Sequence, residues 1–199
     1  GFMVRSELME LLKGVYDMER LTSKIVFGNI NARDLLALKN SISRLPYIKE
    51  LLTSLKAPMN RQIFERMDLL EDVHELIDKS INEDPPLSVK EGGIIKEGYD
   101  ELVDKYRRAT TDGKNWIADL EARERERTGI KNLKIRYNDN FGYYIEVTKA
   151  NIGQVPDDYV RKQTLVNCER YTMDKLKDIE SKILGAETKV VQREYELFC

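Results

Sequence analysis

The sequence has very little of the chemistry that small catalytic and metal-binding domains use. Its 199 residues include two cysteines, Cys168 and Cys199, and one histidine, His74. The cysteines have neither the spacing of a metal site nor the pattern of a disulfide framework, and we interpret Cys168 as a small buried residue. The sequence shows no paired carboxylates, and His74 has no recognisable catalytic partner, so neither feature indicates catalysis. The sequence therefore gives no support to an enzyme, and the cysteine content fits a reducing cytoplasm.

Long apolar runs and an excess of one charge are also missing. No apolar stretch approaches the ~20 residues of a membrane-spanning helix, so we predict no membrane association of that kind. The 33 basic and 35 acidic side chains give a net charge of −2, so the chain as a whole does not attract nucleic acid. Local patches can still bind phosphate, because salt screens charges over about 10 Å.

Glycine and proline are scarce, which argues against a loop-rich or disordered chain. Charged residues make up 34% of the sequence, a level that suits long helices with wide solvated faces. Apolar residues recur at helical spacing, and we predict four helices, with an N-cap at Asn31, over residues 4–26, 35–45, 47–55 and 63–81. Because the sequence begins and ends within such patterns, we expect a fragment of a longer protein.

Residues 82–100 interrupt the helical pattern with a Pro-Pro pair and a Gly-Gly pair. The glycines lack the Lys and Ser/Thr of a phosphate-binding loop, so we predict a structured connection. One long helix is predicted over residues 101–128, and another from Met173 to the C-terminus. Arginine alternates with glutamate near residue 125, which indicates a solvated helix face and not a nucleic-acid patch.

Between these two helices the pattern changes to that of a β-sheet. Residues 133–148 alternate around a turn at Asn138–Gly142, which predicts a hairpin. A hairpin alone is barely stable in water, and residues 163–172 alternate again, so we predict one third strand there, after a loop over 149–162. The predicted fold is mainly α with a small antiparallel β insertion, in which long antiparallel helices carry the sheet at their end.

The predicted topology suggests a binding surface. If the strands run along the helical arm, the hairpin turn and the start of the third strand share its outer tip. That tip would show Asn140, Arg161, Lys162, Gln163 and Thr164, with Asn167 one step inward. Cations with neutral hydrogen-bonding groups suit contact with a duplex backbone. Residues 128–172 contain seven basic and five acidic residues, so the charge signal is weak, and by itself it favours a packing module with an ordinary mixed surface.

Several segments resemble one protein family. ARERERTGI, LKIRYNDNFGYYIEV and YVRKQTLVNCERYT are similar to the clamp region of the MutS family of DNA mismatch-repair proteins, in its bacterial branch. VYDMERL, EDPPLSVKEGGIIKEGYDEL and LKDIESKILGAE resemble the core and lever segments around that clamp. The resemblance covers the chain in order and implies a core and lever domain over residues 1–100 and 173–199, with a clamp domain over 101–172.

The resemblance also implies a function. The full protein of this family is a homodimer that encircles double-stranded DNA, recognises mispairs, and uses ATP with Mg²⁺ to signal to downstream repair factors. Its clamps contact the DNA backbone without reading sequence, and its levers connect them to the ATPase. Lys149, just past the hairpin, lies where the family often has a basic residue, and it joins the predicted DNA-contacting set. The implied location is the bacterial cytoplasm, at the nucleoid.

Some features depart from the family pattern. Val166 lies where the pattern often has Lys, and Cys168 replaces a usual Ala. The sequence contains neither a Phe-x-Glu mismatch-reading segment nor a GxxxxGK[ST] phosphate-binding motif. We therefore expect these residues neither to hydrolyse ATP nor to distinguish mismatched from perfect DNA. The alternative interpretation is a helical protein-interaction module whose hairpin docks a protein partner.

Overall fold

The computed structural model describes residues 2–199. These residues form mainly helices with one small antiparallel sheet, which confirms the predicted fold class. Two short 3-10 helices, Val89–Glu91 and Lys149–Gln154, accompany the main elements. The main elements, in chain order, are α1 Phe2–Lys13, α2 Met18–Val26, α3 Ala32–Ile42, α4 Leu45–Thr53, α5 Pro58–Arg66, α6 Glu71–Ser80, α7 Glu101–Thr128, β1 Lys134–Asn138, β2 Gly142–Thr148, β3 Val160–Thr164, β4 Cys168–Thr172 and α8 Asp174–Phe198.

The four helices predicted before residue 82 are six in the structure. The first predicted helix is divided because Asp17 caps a new helix by accepting a hydrogen bond from the Arg20 N–H at 2.9 Å. The last is divided at Leu70, whose φ of 51° is left-handed and stops a continuous helix. The predicted N-cap at Asn31 is confirmed, since its side chain accepts from the Asp34 N–H at 2.8 Å.

The described residues divide into two compact units, one of residues up to 100 together with 191–199, the other of residues 101–190. In the first unit, residues 82–100 are a structured connection, as predicted: the Asn82 N–H donates to the Ile94 carbonyl at 2.8 Å. The core of this unit consists of buried aliphatic side chains from the helices and this connection, namely Leu21, Ala32, Leu38, Ile42, Ile77, Ile81, Ile94 and Ile95.

The last turns of α8 belong to this first unit because of a buried carboxylate. Glu194 is fully buried and accepts hydrogen bonds from the N–H groups of Gly93 at 2.7 Å and Ile95 at 3.1 Å. Arg193 forms an ion pair with Asp100 at 2.8 Å on the same part of α8. Two helical turns near the C-terminus are thus fastened to a connection about a hundred residues earlier in the chain.

The second unit is built on two long antiparallel helices, the whole of α7 and most of α8. The predicted bounds of α7 are confirmed, and Gly129, with a φ of 72°, ends it. A core between the helix pair and one face of the sheet is formed by Ile117, Leu120, Ile130, Leu133, Ile145, Val147, Tyr159, Tyr171, Leu176, Ile179 and Ile183. Burying this face explains why the sheet is stable with four short strands.

The sheet has the strand order β1-β2-β4-β3, all antiparallel. The prediction of one strand over residues 163–172 was wrong, because the chain reverses inside that segment: the Leu165 N–H donates to the Cys168 carbonyl at 2.9 Å and closes a turn. Residues 165–167 contain no glycine or proline to mark this reversal, so alternation alone did not show it.

The predicted position of the hairpin turn at the outer tip was also wrong. Strand β1 runs back along α7, since Arg125 Nε donates to the Leu133 carbonyl at 2.6 Å and the Ile135 N–H donates to Glu121 at 2.7 Å. The turn therefore ends beside the middle of α8, where Gly142 contacts Glu180. The sheet folds back because its apolar face is buried only when it lies along the helices.

Candidate nucleic-acid interface

The two ends of the sheet carry different sets of the predicted contact residues. One end, which we call the far end, lies beyond the last turn of α7 and comprises residues 130–132, 148–151 and 164–167. There the Lys149 N–H donates to the Asn167 carbonyl at 3.1 Å, and Thr148 pairs with Cys168. This contact joins the end of β2 to the turn between β3 and β4. It brings together three predicted residues, Lys149, Thr164 and Asn167.

Two asparagines at the far end were not found from the sequence. Asn132 Nδ2 donates to Thr148 Oγ1 at 3.1 Å, and Asn151 Nδ2 donates to Asn132 Oδ1 at 2.8 Å. They lie in separate loops, and only the folding of the sheet places them together. Lys131, beside Asn132, is exposed. The sequence showed only that these two asparagines lie close to predicted strands, and many loops have polar residues in such positions.

The opposite end of the sheet, at the hairpin turn, holds Asn140, Arg161 and Lys162. Lys162 Nζ donates to the Phe141 carbonyl at 2.9 Å, so β3 does reach the hairpin turn as predicted. The turn itself is closed by the Asn140 N–H, which donates to Asn138 Oδ1 at 2.8 Å. Gln163, between the two ends, accepts from Arg170 at 3.0 Å. The seven predicted residues therefore do not form one cluster.

Arg161 is partly occupied by contacts within the protein. Its guanidinium lies 3.8 Å from Glu169, whose side chain is 11% exposed while that of Arg161 is 64% exposed. Glu169 also accepts a hydrogen bond from the hydroxyl of Tyr171. Burial, together with this hydrogen bond to Glu169, raises the pKa of Tyr171 to about 12. A phosphate at Arg161 would have to share the cation with this carboxylate.

Lys149 has a different environment. Among residues 2–199 no carboxylate lies within ion-pair distance of its ammonium group, and the side chain is exposed. Asn167 and Thr164 are exposed as well, and Val166 at the turn is 83% exposed. An exposed valine at this position has no packing role. The far end thus offers a cation and neutral hydrogen-bonding groups to solvent.

An ionic cluster around the buried carboxylate of Glu124 joins α7 to the loop before β3. The Tyr159 hydroxyl donates to Glu124 at 2.6 Å, and Arg127 donates to the same carboxylate at 2.7 Å and to Asp158 at 3.1 Å. Burial and the hydrogen bond to Glu124 raise the pKa of Tyr159, and the hydrogen bonds to Glu124 and Asp158 raise the pKa of Arg127. The cluster fastens the loop before β3 to α7 and compensates the charge of Asp158.

Of the hairpin tyrosines, Tyr144 packs inside the unit, whereas Tyr137 is 50% exposed. Tyr144 is 4% exposed, and the guanidinium of Arg170 lies 4.4 Å from its ring centre. Tyr143 meets Tyr137 edge-on, with ring centres 5.0 Å apart. The buried ring of Tyr144 is not available as a stacking platform for bases.

Residues 2–199 contain neither a candidate metal centre nor a membrane-spanning helix. The acidic, histidine and cysteine side chains described by the structure include no group of three or more placed to hold a metal ion. None of the helices among these residues combines the length and the apolar character that crossing a membrane requires.

Comparisons with known proteins agree with this architecture. A family model described as MutS family domain IV matches residues 98–189. The chain is 60% identical, over 99% of its length, to the DNA mismatch repair protein MutS of Acetivibrio thermocellus. It is 59% identical over 98% to that of Caldanaerobacter subterraneus subsp. tengcongensis and 58% over 99% to that of Ruminiclostridium cellulolyticum.

These similarities extend along nearly the whole chain and include both units. The chain belongs to the MutS family of DNA mismatch repair proteins. It spans 23%, 22% and 23% of the lengths of these three relatives.

Proposed function

We propose that this chain works within a longer MutS protein as a non-catalytic module that holds duplex DNA by its backbone, without reading sequence. Within the second unit, the sheet with its loops is the clamp, and α7 and α8 are the levers that connect it to the ATPase of the longer protein. The relatives are DNA mismatch repair proteins, which supports a role in mismatch repair. The exposed cation and amides of the far end support the kind of contact.

The observation that carries this proposal is the surface formed where the Lys149 N–H donates to the Asn167 carbonyl. It presents an ammonium group, two neutral side-chain donors or acceptors and the backbone of a tight turn on one surface. Such a mixture contacts phosphate oxygens, which position a protein on DNA but carry no sequence information. No side chain of the far end is held in a bidentate arrangement for a base edge, so we propose backbone contact alone.

Arg161, Lys162, Gln163 and Asn140 have a smaller part in this proposal. Arg161 and Lys162 already have partners within the unit, Glu169 and the Phe141 carbonyl. At about 3.3 Å per residue, Arg161 also lies roughly 10 Å along β3 from Thr164. We therefore propose that Lys149, Thr164 and Asn167 make the main contacts, that Arg161 and Lys162 add long-range attraction, and that the neutral Gln163 and Asn140 add short-range hydrogen bonds.

The remaining activities belong, on this proposal, to the longer protein. They are the binding of mismatched DNA, the binding of ATP with Mg²⁺, homodimer formation and contact with downstream repair factors. The 199 residues contain no GxxxxGK[ST] motif with which to hold ATP. The whole protein would act in the bacterial cytoplasm, at the nucleoid.

Titration of a fluorescently labelled duplex at several salt concentrations tests the proposal. We expect weak binding, equal for different sequences and for a duplex with one mismatch. Because Lys149 is the one cation among the proposed main contacts, the logarithm of the affinity should fall with the logarithm of the salt concentration with a slope of roughly −1. Salt-independent binding, or no binding at low salt and high protein concentration, would support the protein-docking alternative.

A further inference from the structure

A groove of about 350 Å³ lies between α7 and α8. It is separate from the far end and from the sheet: Glu121, which contacts β1, is two residues after Asp119 and so lies on another side of α7. Seven side chains line the groove, and none has a place in the proposed DNA contact: Trp116, Asp119, Leu120, Arg123, Lys175, Ile179 and Lys182.

The groove has an apolar floor and one aromatic wall. Leu120 and Ile179 form the floor and are almost fully buried, at 3% and 7% exposed. Trp116, the only tryptophan of the sequence, is 45% exposed. The ammonium group of Lys182 lies 5.8 Å from the centre of the indole ring. An exposed indole beside an aliphatic floor can accept an apolar side chain from a partner.

The charge of the groove is strongly one-sided. Arg123, Lys175 and Lys182 contribute three cations, and Asp119 is the one carboxylate in the lining. All three cations are exposed at the rim. A local excess of two positive charges contrasts with the net charge of −2 for the whole chain. Charge complementarity therefore favours an acidic ligand.

We propose that this groove binds an acidic peptide segment of a partner protein. An apolar side chain of the segment packs on Leu120, Ile179 and Trp116, while its carboxylates lie beside the rim cations. Single-stranded nucleic acid fits less well, because it stacks successive bases on several aromatic rings. The groove has one indole, and Lys182 covers part of it.

Fluorescence of Trp116 gives a direct test, since no other tryptophan contributes. The probe is a synthetic peptide of about twelve residues, or about three helical turns, with two leucines four positions apart and glutamates at most other positions. Added to the 199-residue chain, it should change the Trp116 emission saturably, and the affinity should fall as salt is raised. Replacing both leucines of the peptide by glutamine should abolish the change.

Two charge-matched variants locate the binding. Arg123→Gln with Lys175→Gln should weaken peptide binding about tenfold. Arg108→Gln with Lys177→Gln removes the same charge from exposed positions on the same helices outside the groove, and should have little effect. Unchanged circular dichroism shows that both variants fold. Equal loss in the two variants, no response to the peptide, or tighter binding of oligothymidylate than of the peptide at Trp116 would overturn the proposal.

Discussion

Gly113 of α7 lies against Ile183 of α8 so closely that a methyl group at position 113 would overlap the Ile183 side chain. A glycine inside a helix normally costs stability relative to alanine, so its presence here has a packing reason. It allows the two long helices to approach each other at the centre of the second unit. Two predictions about stability follow from this contact and from a second glycine on α8.

Gly113→Ala should destabilise the second unit by about 1–3 kcal/mol, because overpacking at Ile183 exceeds the gain of about 1 kcal/mol in helix propensity. Urea unfolding followed by Trp116 fluorescence measures this, since Trp116 lies one turn away on α7. Gly185→Ala is the matched control. It lies on α8, and nothing lies within 4 Å of an added methyl group. It should stabilise by about 0.5–1 kcal/mol. A stabilising Gly113→Ala would contradict the close packing.

Lys149→Ala with Asn167→Ala should weaken duplex binding more than Arg161→Ala with Lys162→Ala. The first pair removes the proposed contacts of the far end, and the second removes cations that already have partners within the protein. We expect the first pair to reduce the slope of the logarithm of the affinity against the logarithm of the salt concentration by about 1. The reduction should be equal for every duplex sequence.

Fluorescence anisotropy of a labelled duplex distinguishes the two pairs. Because the second pair removes two positive charges and the first removes one, a stronger effect of the first cannot come from net charge. If Arg161 and Lys162 prove dominant, DNA lies along the outer edge of β3 and not across the far end.

Tyr171 should make the second unit sensitive to alkaline pH. Its pKa is raised from 10.0 to about 12 in the folded chain, by burial and by its hydrogen bond to Glu169. The folded state thus favours the protonated phenol, and this stabilisation is complete below pH 10 and is lost as the pH rises through about 12.

Urea unfolding at a series of pH values from about 9 to 12 measures this effect. Tyr171→Phe should lose less stability than the unchanged chain over that range, although Tyr159, whose pKa is also raised, leaves some dependence in both. Parallel curves for the two proteins would show that the phenol of Tyr171 is not responsible.

Glu194→Gln should loosen the connection between α8 and residues 92–95. The carboxylate accepts two backbone N–H groups, whereas an amide presents one acceptor and one NH₂ group, so one buried N–H loses its acceptor. Such a loss costs about 1–3 kcal/mol. Amide hydrogen exchange at Gly93 and Ile95 should become faster, while Glu196→Gln, an exposed change on the same turn, should leave it unaltered.

Features set by neighbouring residues were predictable from the sequence. The bounds of α7, the N-cap at Asn31 and the hairpin turn around residues 138–142 depend on helical periodicity, capping and turn chemistry, which act over a few residues. The boundaries at Asp17 and Leu70 were missed, because the apolar spacing continues through both breaks.

The grouping of the candidate site was decided by the tertiary structure. Residues 163–172 alternate like one strand, and only the pairing of β4 with both β2 and β3 shows the reversal that brings Asn167 to Lys149. The direction of the sheet along α7 likewise depends on burial of its apolar face, which joins residues far apart in sequence. The sequence by itself determined the long helix α7, the hairpin and the family resemblance. Long-range pairing and burial determined which side chains share a surface.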